Sequence, residues 1–180
     1  MDYELMIPDS YHPSVYDINY SLIRDNGIKY AVFDVDCTIL PFDDINVGDD
    51  LINLFDYINS LGIQSVLCSS GSKKRVEVVG EKLDINYMYG ARKPYVGFNS
   101  LKSLFDDDFE RKKSVFIGDS PFFDMYNAGK INMNKILVDM LIQGFNFKTY
   151  TNEFIRAALF KRLRVYGLEE KKYYRGSIER

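Results

Sequence analysis

At 180 residues and 46% hydrophobic content, the chain is long enough to bury one domain core and too apolar to be disordered. With a formal charge of −3, one histidine and two cysteines distant in sequence, it has neither a disulfide framework nor the ligand clusters of a structural zinc site. Its apolar runs are strand-length and broken by Asp, Lys or Asn, so no transmembrane helix is expected. The start Met1-Asp2-Tyr3-Glu4 lacks the basic region of a secretory signal, which leads us to expect a cytoplasmic protein with at most peripheral membrane contact.

A single domain over 1–180 is expected, beginning with an extension to about residue 27 that carries Pro8, His12 and Pro13. His12 lies outside every motif and reads as structural. Beyond it, short β-like runs alternate with amphipathic stretches, the pattern of a doubly wound α/β fold with a mainly parallel, five-stranded Rossmann-like sheet. Strands are predicted near 29–34, 63–68, 86–89, 114–118 and 135–139. Between the first two, Leu51, Leu54, Phe55, Ile58 and Leu61 share one face of a helix that opens on Asp49 and Asp50 and stops before Gly62. Ser72 can cap a second helix bearing Val76, Val79 and Leu83, and Phe98, Leu101, Leu104 and Phe105 define a third. Ser120-Pro121 is a helix start with its cap and its N1 proline in order. A last helix near 152–166 sets Phe154, Ile155, Ala158, Leu159 and Leu163 against the sheet and turns Arg156, Lys161 and Arg164 outward. Residues 161–180 hold seven Lys/Arg against three Glu, so the tail from about 166 is basic and reads as a solvated terminal segment.

The chemistry gathers at strand ends, where ligands of open α/β sheets bind. Tyr30-Ala31-Val32-Phe33 runs into Asp34-Val35-Asp36-Cys37-Thr38. Two carboxylates brought together out of water repel each other unless a cation sits between them, and a hard divalent ion, Mg²⁺ before others, suits them. Alone, the pattern also fits a helix cap or a solvated turn. Ser69-Ser70-Gly71-Ser72 leads hydroxyls and amides into a helix N-terminus, which suits a phosphate or simply a cap. In Ala91-Arg92-Lys93-Pro94 a lysine stands after a short strand, as a phosphate partner or a surface cation. Gly118-Asp119 ends another strand, and Asp124 follows about a helical turn later. Cys37 and Cys68 fall near the ends of neighbouring strands and are expected to be inert buried thiols.

Four such signals in order resemble motifs I to IV of the haloacid dehalogenase superfamily: Asp34-x-Asp36-x-Thr38, Ser69, Lys93, and Gly118-Asp119 with Asp124. The sequence is further similar to subfamily IIIA phosphatases of YqeG type, relatives of phosphatidylglycerophosphate phosphatases. Ile7-Pro8-Asp9, Val15-Tyr16-Asp17-Ile18-Asn19, Ala91-Arg92-Lys93-Pro94 and Lys135-Ile136-Leu137-Val138 carry this likeness. Cys37 and Ser70-Gly71 depart from that group, which tends to have Asn at these places.

The resemblance implies an Mg²⁺-dependent phosphatase with Asp34 as nucleophile and Asp36 as acid and base, its main-chain carbonyl rather than its carboxylate touching the metal. It implies Asp34, Asp36, Asp119 and Asp124 around Mg²⁺, and Ser69, Ser70, Lys93 and Thr38 around the substrate phosphate. Each interval between motifs is filled by one crossover, so no folded cap is expected and the site should be open. An open site favours a phosphate on a bulky carrier, a lipid headgroup among them, or a homo-oligomer that walls it in. No nucleic-acid partner is expected, because basic residues collect only in the tail. A phosphate-receiver or scaffold protein with little turnover is the alternative.

Overall fold

The computed structural model describes residues 2–105, 109–143 and 147–179, the side chains of 147–149 excepted. Its strands are β1 Ser10–His12, β2 Tyr30–Phe33, β3 Gln64–Cys68, β4 Asn86–Met88, β5 Ser114–Gly118 and β6 Asn134–Val138. They form one sheet in the order β1-β6-β5-β2-β3-β4, with every neighbouring pair parallel. The α/β class stands, and the sheet has six strands rather than five. The added edge strand β1 pairs Ser10, Tyr11 and His12 with Ile136, Leu137 and Val138.

Side chains on a strand alternate between faces, and both faces here are covered. Ala31, Phe33, Leu67, Val115, Ile117 and Ile136 pack with Ile23 of α1 (Tyr20–Asp25), Leu51, Phe55 and Ile58 of α2 (Asp49–Ser60), and Val76, Val79 and Leu83 of α3 (Lys73–Leu83). Tyr30, Val32, Val66, Cys68 and Phe116 pack on the opposite face with Leu101 of α4 (Phe98–Lys102), Phe105, and Ala128 of α5 (Tyr126–Lys130). No separate cap stands over the sheet among the described residues.

The terminal helix α6 (Phe147–Leu163) corrects the expected face. Phe154 is 71% exposed and Ile155 46%, whereas Arg156, Phe160 and Leu163 are buried. The inward stripe is 156, 160 and 163, because Phe160 and Leu163 reach a third cluster with Met6, Tyr11, Met125, Leu137 and Leu168. The C-terminal segment returns to the edge strand. Tyr174 exchanges backbone hydrogen bonds with Tyr11, and buried Glu179 meets His12 Nε2 at 2.7 Å. No described helix is long and apolar enough to cross a membrane.

Candidate active site

The parallel registers Phe33–Leu67 and Phe33–Ile117 align the ends of β2, β3 and β5, so residues that follow them meet at one rim. After β2 the chain folds into a tight loop in which the Val35 carbonyl accepts the amides of Thr38, Ile39 and Leu40. Val35 and Ile39 are buried as anchors, while Asp34, Asp36 and Cys37 line a cavity of about 510 Å³.

Asp34, Asp119 and Asp124 are all buried, and each offers a carboxylate oxygen within 4.8 Å of the others. Thr38 Oγ1 lies 2.9 Å from Asp34 Oδ2 and 3.2 Å from Asp119 Oδ1, and accepts the Asp119 amide at 3.1 Å. That hydroxyl spaces the two acids. Lys93 Nζ bridges Asp34 at 2.5 Å and Asp124 at 2.7 Å, with its side chain only 4% exposed. Asp124 sits on a π-helical turn, Pro121–Met125, that precedes α5, and the Ser120 amide donates to it at 3.0 Å. The Ser120 hydroxyl accepts from the Phe123 amide, as the Ser-Pro start requires.

The charge balance of the trio is suited to a cation. Burial, then the charges of Asp124 and Asp34, pushes the Asp119 carboxyl above its usual range. Burial likewise raises Asp124, against the opposing pull of Lys93. Burial alone would lower the Lys93 ammonium, but Asp124 and Asp34 override it and hold the group above its ordinary value. Asp34 and Asp124 therefore share one ammonium, and Asp119 has no paired cation among the described residues, only the more distant charges of Arg156 and Lys93. A donor set of carboxylate oxygens short of positive charge fits a hard divalent ion such as Mg²⁺.

The loops after β3 and β4 are zipped together: Ala91 N–H donates to Ser69 O, Gly90 N–H to Gly71 O, and the Ser70 hydroxyl to Ala91 O. Ser69 itself is wholly buried, its hydroxyl accepting the Gly71 amide at 2.9 Å and lying 3.4 Å from Asp36. Ser70, Gly71 and Ser72 face the cavity instead. Ser72 occupies the cap position of α3 without a side-chain cap bond.

Two buried arginines were not anticipated at the rim. Arg75 Nη1 pairs with Asp36 Oδ1 at 2.6 Å, and Arg156 Nε donates to the Asp119 main-chain carbonyl at 3.0 Å. A signal existed for both: Arg75 is four residues before Val79 and Arg156 four before Phe160, on the apolar stripes of α3 and α6. Burial raises the Asp36 carboxyl, Arg75 opposes that, and Asp34 adds to it. The thiols are poor nucleophiles, since burial pushes Cys68 up to about 12 and Cys37 well above its ordinary value.

A parallel sheet brings an Asp pair, a lysine and a second Asp pair to one rim, the arrangement that the resemblance to haloacid dehalogenase phosphatases implies. The chain is 24% identical over 164 residues, 91% of its length and 95% of the relative's, to a Bacillus subtilis (strain 168) protein named "Probable phosphatase YqeG". This likeness supports a phosphatase of that type. Among solved structures, a hypothetical protein of Xanthomonas campestris aligns with TM-score 0.46 at 18% identity over 68% of this chain and 70% of its own. A YrbI-family phosphatase of Pseudomonas syringae aligns with TM-score 0.45 at 17% identity over 84% and 99%. No protein-family model matches the chain.

Proposed function

We propose that the protein is an Mg²⁺-dependent phosphomonoester hydrolase of the subfamily IIIA kind, working through an aspartyl-phosphate on Asp34. The observation that carries this reading is the buried trio Asp34, Asp119 and Asp124, with Lys93 bridging Asp34 and Asp124. Asp34, Asp119, Asp124 and the Asp36 carbonyl would hold the ion, which supplies the positive charge that lets an anionic nucleophile approach an anionic phosphate.

An Asp34 carboxylate oxygen bonds to phosphorus as the bond to the ester oxygen breaks, and the Asp36 carboxyl gives that oxygen its proton. The Asp36 carboxylate then takes a proton from the water that releases phosphate and regenerates Asp34. Lys93 offsets charge on the transferring group, and the Ser70–Ser72 loop offers hydroxyls and amides to its oxygens. Asp36 lines the same cavity as Asp34 without joining the trio, which supports the separate acid–base role.

The absence of a cap among the described residues supports a phosphate on a bulky carrier, a phosphatidylglycerophosphate-like lipid being one member of that class. Purified protein should hydrolyse p-nitrophenyl phosphate with Mg²⁺ and not with EDTA, and Asp34→Asn should abolish turnover while leaving the circular dichroism spectrum unchanged. Full turnover by Asp34→Asn would refute the nucleophile. A long-lived aspartyl-phosphate with little release would instead mark a phosphate receiver.

A further inference from the structure

Arg156 is 8% exposed, and a guanidinium that deep is costly unless its donors are placed. Each of its arms has an assigned direction. Nε donates to the Asp119 carbonyl at 3.0 Å; Nη2 donates to the Val138 carbonyl at 3.1 Å and lies 3.4 Å from Asp139 Oδ1 and from the Tyr11 hydroxyl. Its plane lies over the Phe160 ring, 4.8 Å from the centroid. One side chain thus ties α6 to the ends of β5 and β6 at the residue where Asp119 leaves the sheet.

The C-terminal segment stands behind that arrangement. Asp139 accepts hydroxyl hydrogens from Tyr11 and, at 2.5 Å, from Tyr173. Glu170 lies 3.8 Å from Arg156 Nη1, and the Lys171 amide donates to the Tyr11 hydroxyl at 3.2 Å. Backbone bonds between Tyr11 and Tyr174 at 2.8 and 3.0 Å fix the segment to β1. These contacts form a continuous chain of polar bonds from residues 170–174 to the Asp119 peptide, and Arg156 at its end also lines the cavity that Asp34 and Asp119 share.

We propose that Arg156 is a positioning residue for Asp119, oriented in turn by Asp139 and Tyr173, so that the C-terminal segment sets the geometry of the metal platform. The inference rests on the reading of Asp119 as an Mg²⁺ ligand. The Asp119 carboxylate is carried on the Cα beside that peptide, with Thr38 Oγ1 3.2 Å from its Oδ1, and the carbonyl of that peptide is what Arg156 holds. A planar fork spreads its donors in fixed directions that reach two carbonyls and a carboxylate on separate strand ends, a span that a compact ammonium does not cover. Displacement of a catalytic group by about 1 Å costs on the order of 10²-fold in rate, so a modest shift of this peptide is enough to be measured.

The test compares wild type with Arg156→Lys, Tyr173→Phe and, as a control, the exposed Arg164→Gln. It measures the Mg²⁺ dissociation constant by calorimetry on the metal alone, thermal unfolding, and kcat and KM for p-nitrophenyl phosphate. Arg156→Lys should weaken Mg²⁺ binding by roughly tenfold or more and lower kcat while KM stays within about twofold. Tyr173→Phe should shift both in the same direction by about threefold, as expected for a partner one bond further out, and Arg164→Gln should change neither. Variants that lose thermal stability but bind Mg²⁺ like wild type overturn the inference. Should Arg156→Lys fail to fold, Tyr173→Phe decides by the same criterion. Wild type that neither binds Mg²⁺ nor hydrolyses the ester refutes the phosphatase reading itself, a result distinguishable from failure of the variants alone.

Discussion

Arg75 and Asp36 meet at 2.6 Å, and the arginine is the more deeply buried of the two, with side-chain exposures of 6% and 23%. Arg75 also donates from Nε to the Asp44 carbonyl at 3.0 Å and from Nη2 to the Pro41 carbonyl at 3.2 Å. The arginine therefore fixes two things together, the orientation of the proposed acid and the loop that brings Phe42 and Asp43 to the cavity. Removing it by Arg75→Met leaves Asp36 without its cation and the loop carbonyls without donors. A loss of about 3 kcal/mol in chemical denaturation is expected, the lower end for a broken buried pair because Asp36 keeps some access to water.

The same substitution should move the pH–rate profile. Arg75 favours the ionised form of Asp36, opposing the rise that burial causes, so its loss raises the carboxyl further. Proton donation to the leaving oxygen then survives to higher pH, and the alkaline limb of kcat shifts upward. An alkaline limb that stays in place while the protein is destabilised would separate Arg75 from Asp36 and leave it only as a loop anchor.

Metal removal should interact with pH. Asp119 and Asp124 have raised pKa values through burial and neighbouring charge, so the metal-free folded chain retains protons that the unfolded chain has already released. That contribution to stability is complete below the ordinary carboxylate range and is lost as pH rises through the raised values. Mg²⁺ competes with those protons, and its stabilisation grows as they leave. The rise in Tm on adding Mg²⁺ should therefore be larger at pH 8 than at pH 5.5. Equal increments at the two values would show that the ion does not bind at this trio.

Gly118→Ala tests how tightly the second acid pair is built. A Cβ at residue 118 would overlap the Asp124 carboxyl group, so the methyl can be accommodated only if Asp124 moves off Lys93 and the Ser120 amide. Overpacking of this kind costs about 1–3 kcal/mol, and here the strain falls on a proposed ligand. Thermal unfolding should drop and Mg²⁺ affinity should fall with it. Retention of wild-type Mg²⁺ affinity would mean that Asp124 can shift freely without touching the ion.

The central strands were legible because runs such as Val32-Phe33 and Val115-Phe116-Ile117 are apolar enough to declare burial on both faces, and acids set directly after them could only lie at the rim. The edge strand β1 was not. Ser10-Tyr11-His12 has no apolar run, and its place depends on Leu137 and Tyr174, which are remote in sequence. For α6, Leu163 packs inward as expected, but two apolar stripes lead up to it, one through Phe154 and Ile155 and one through Phe160, and tertiary packing chose the second. Arg156 travelled inward with that choice. Its partners, like those of Arg75, are carbonyls and carboxylates contributed by distant loops, and no local pattern encodes them.

Lys93 offers the sharpest separation of chemistry from metal binding. Its ammonium touches Asp34 and Asp124, two of the three acids proposed to hold Mg²⁺, so in the metal-free protein it occupies part of the charge that the ion would neutralise. Lys93→Met keeps the length of the side chain and removes the charge. Mg²⁺ affinity should then hold or tighten, because the trio loses a competing cation. Turnover should nevertheless fall, by about 10²–10³-fold, since no other described side chain brings a cation to both Asp34 and Asp124 to balance charge on the transferring phosphoryl group. Asp119→Asn should behave in the opposite way and weaken Mg²⁺ binding first. Calorimetry beside steady-state kinetics checks both, and a Lys93→Met protein that loses Mg²⁺ affinity as well as turnover would make the lysine a structural part of the metal platform rather than a partner of the phosphate.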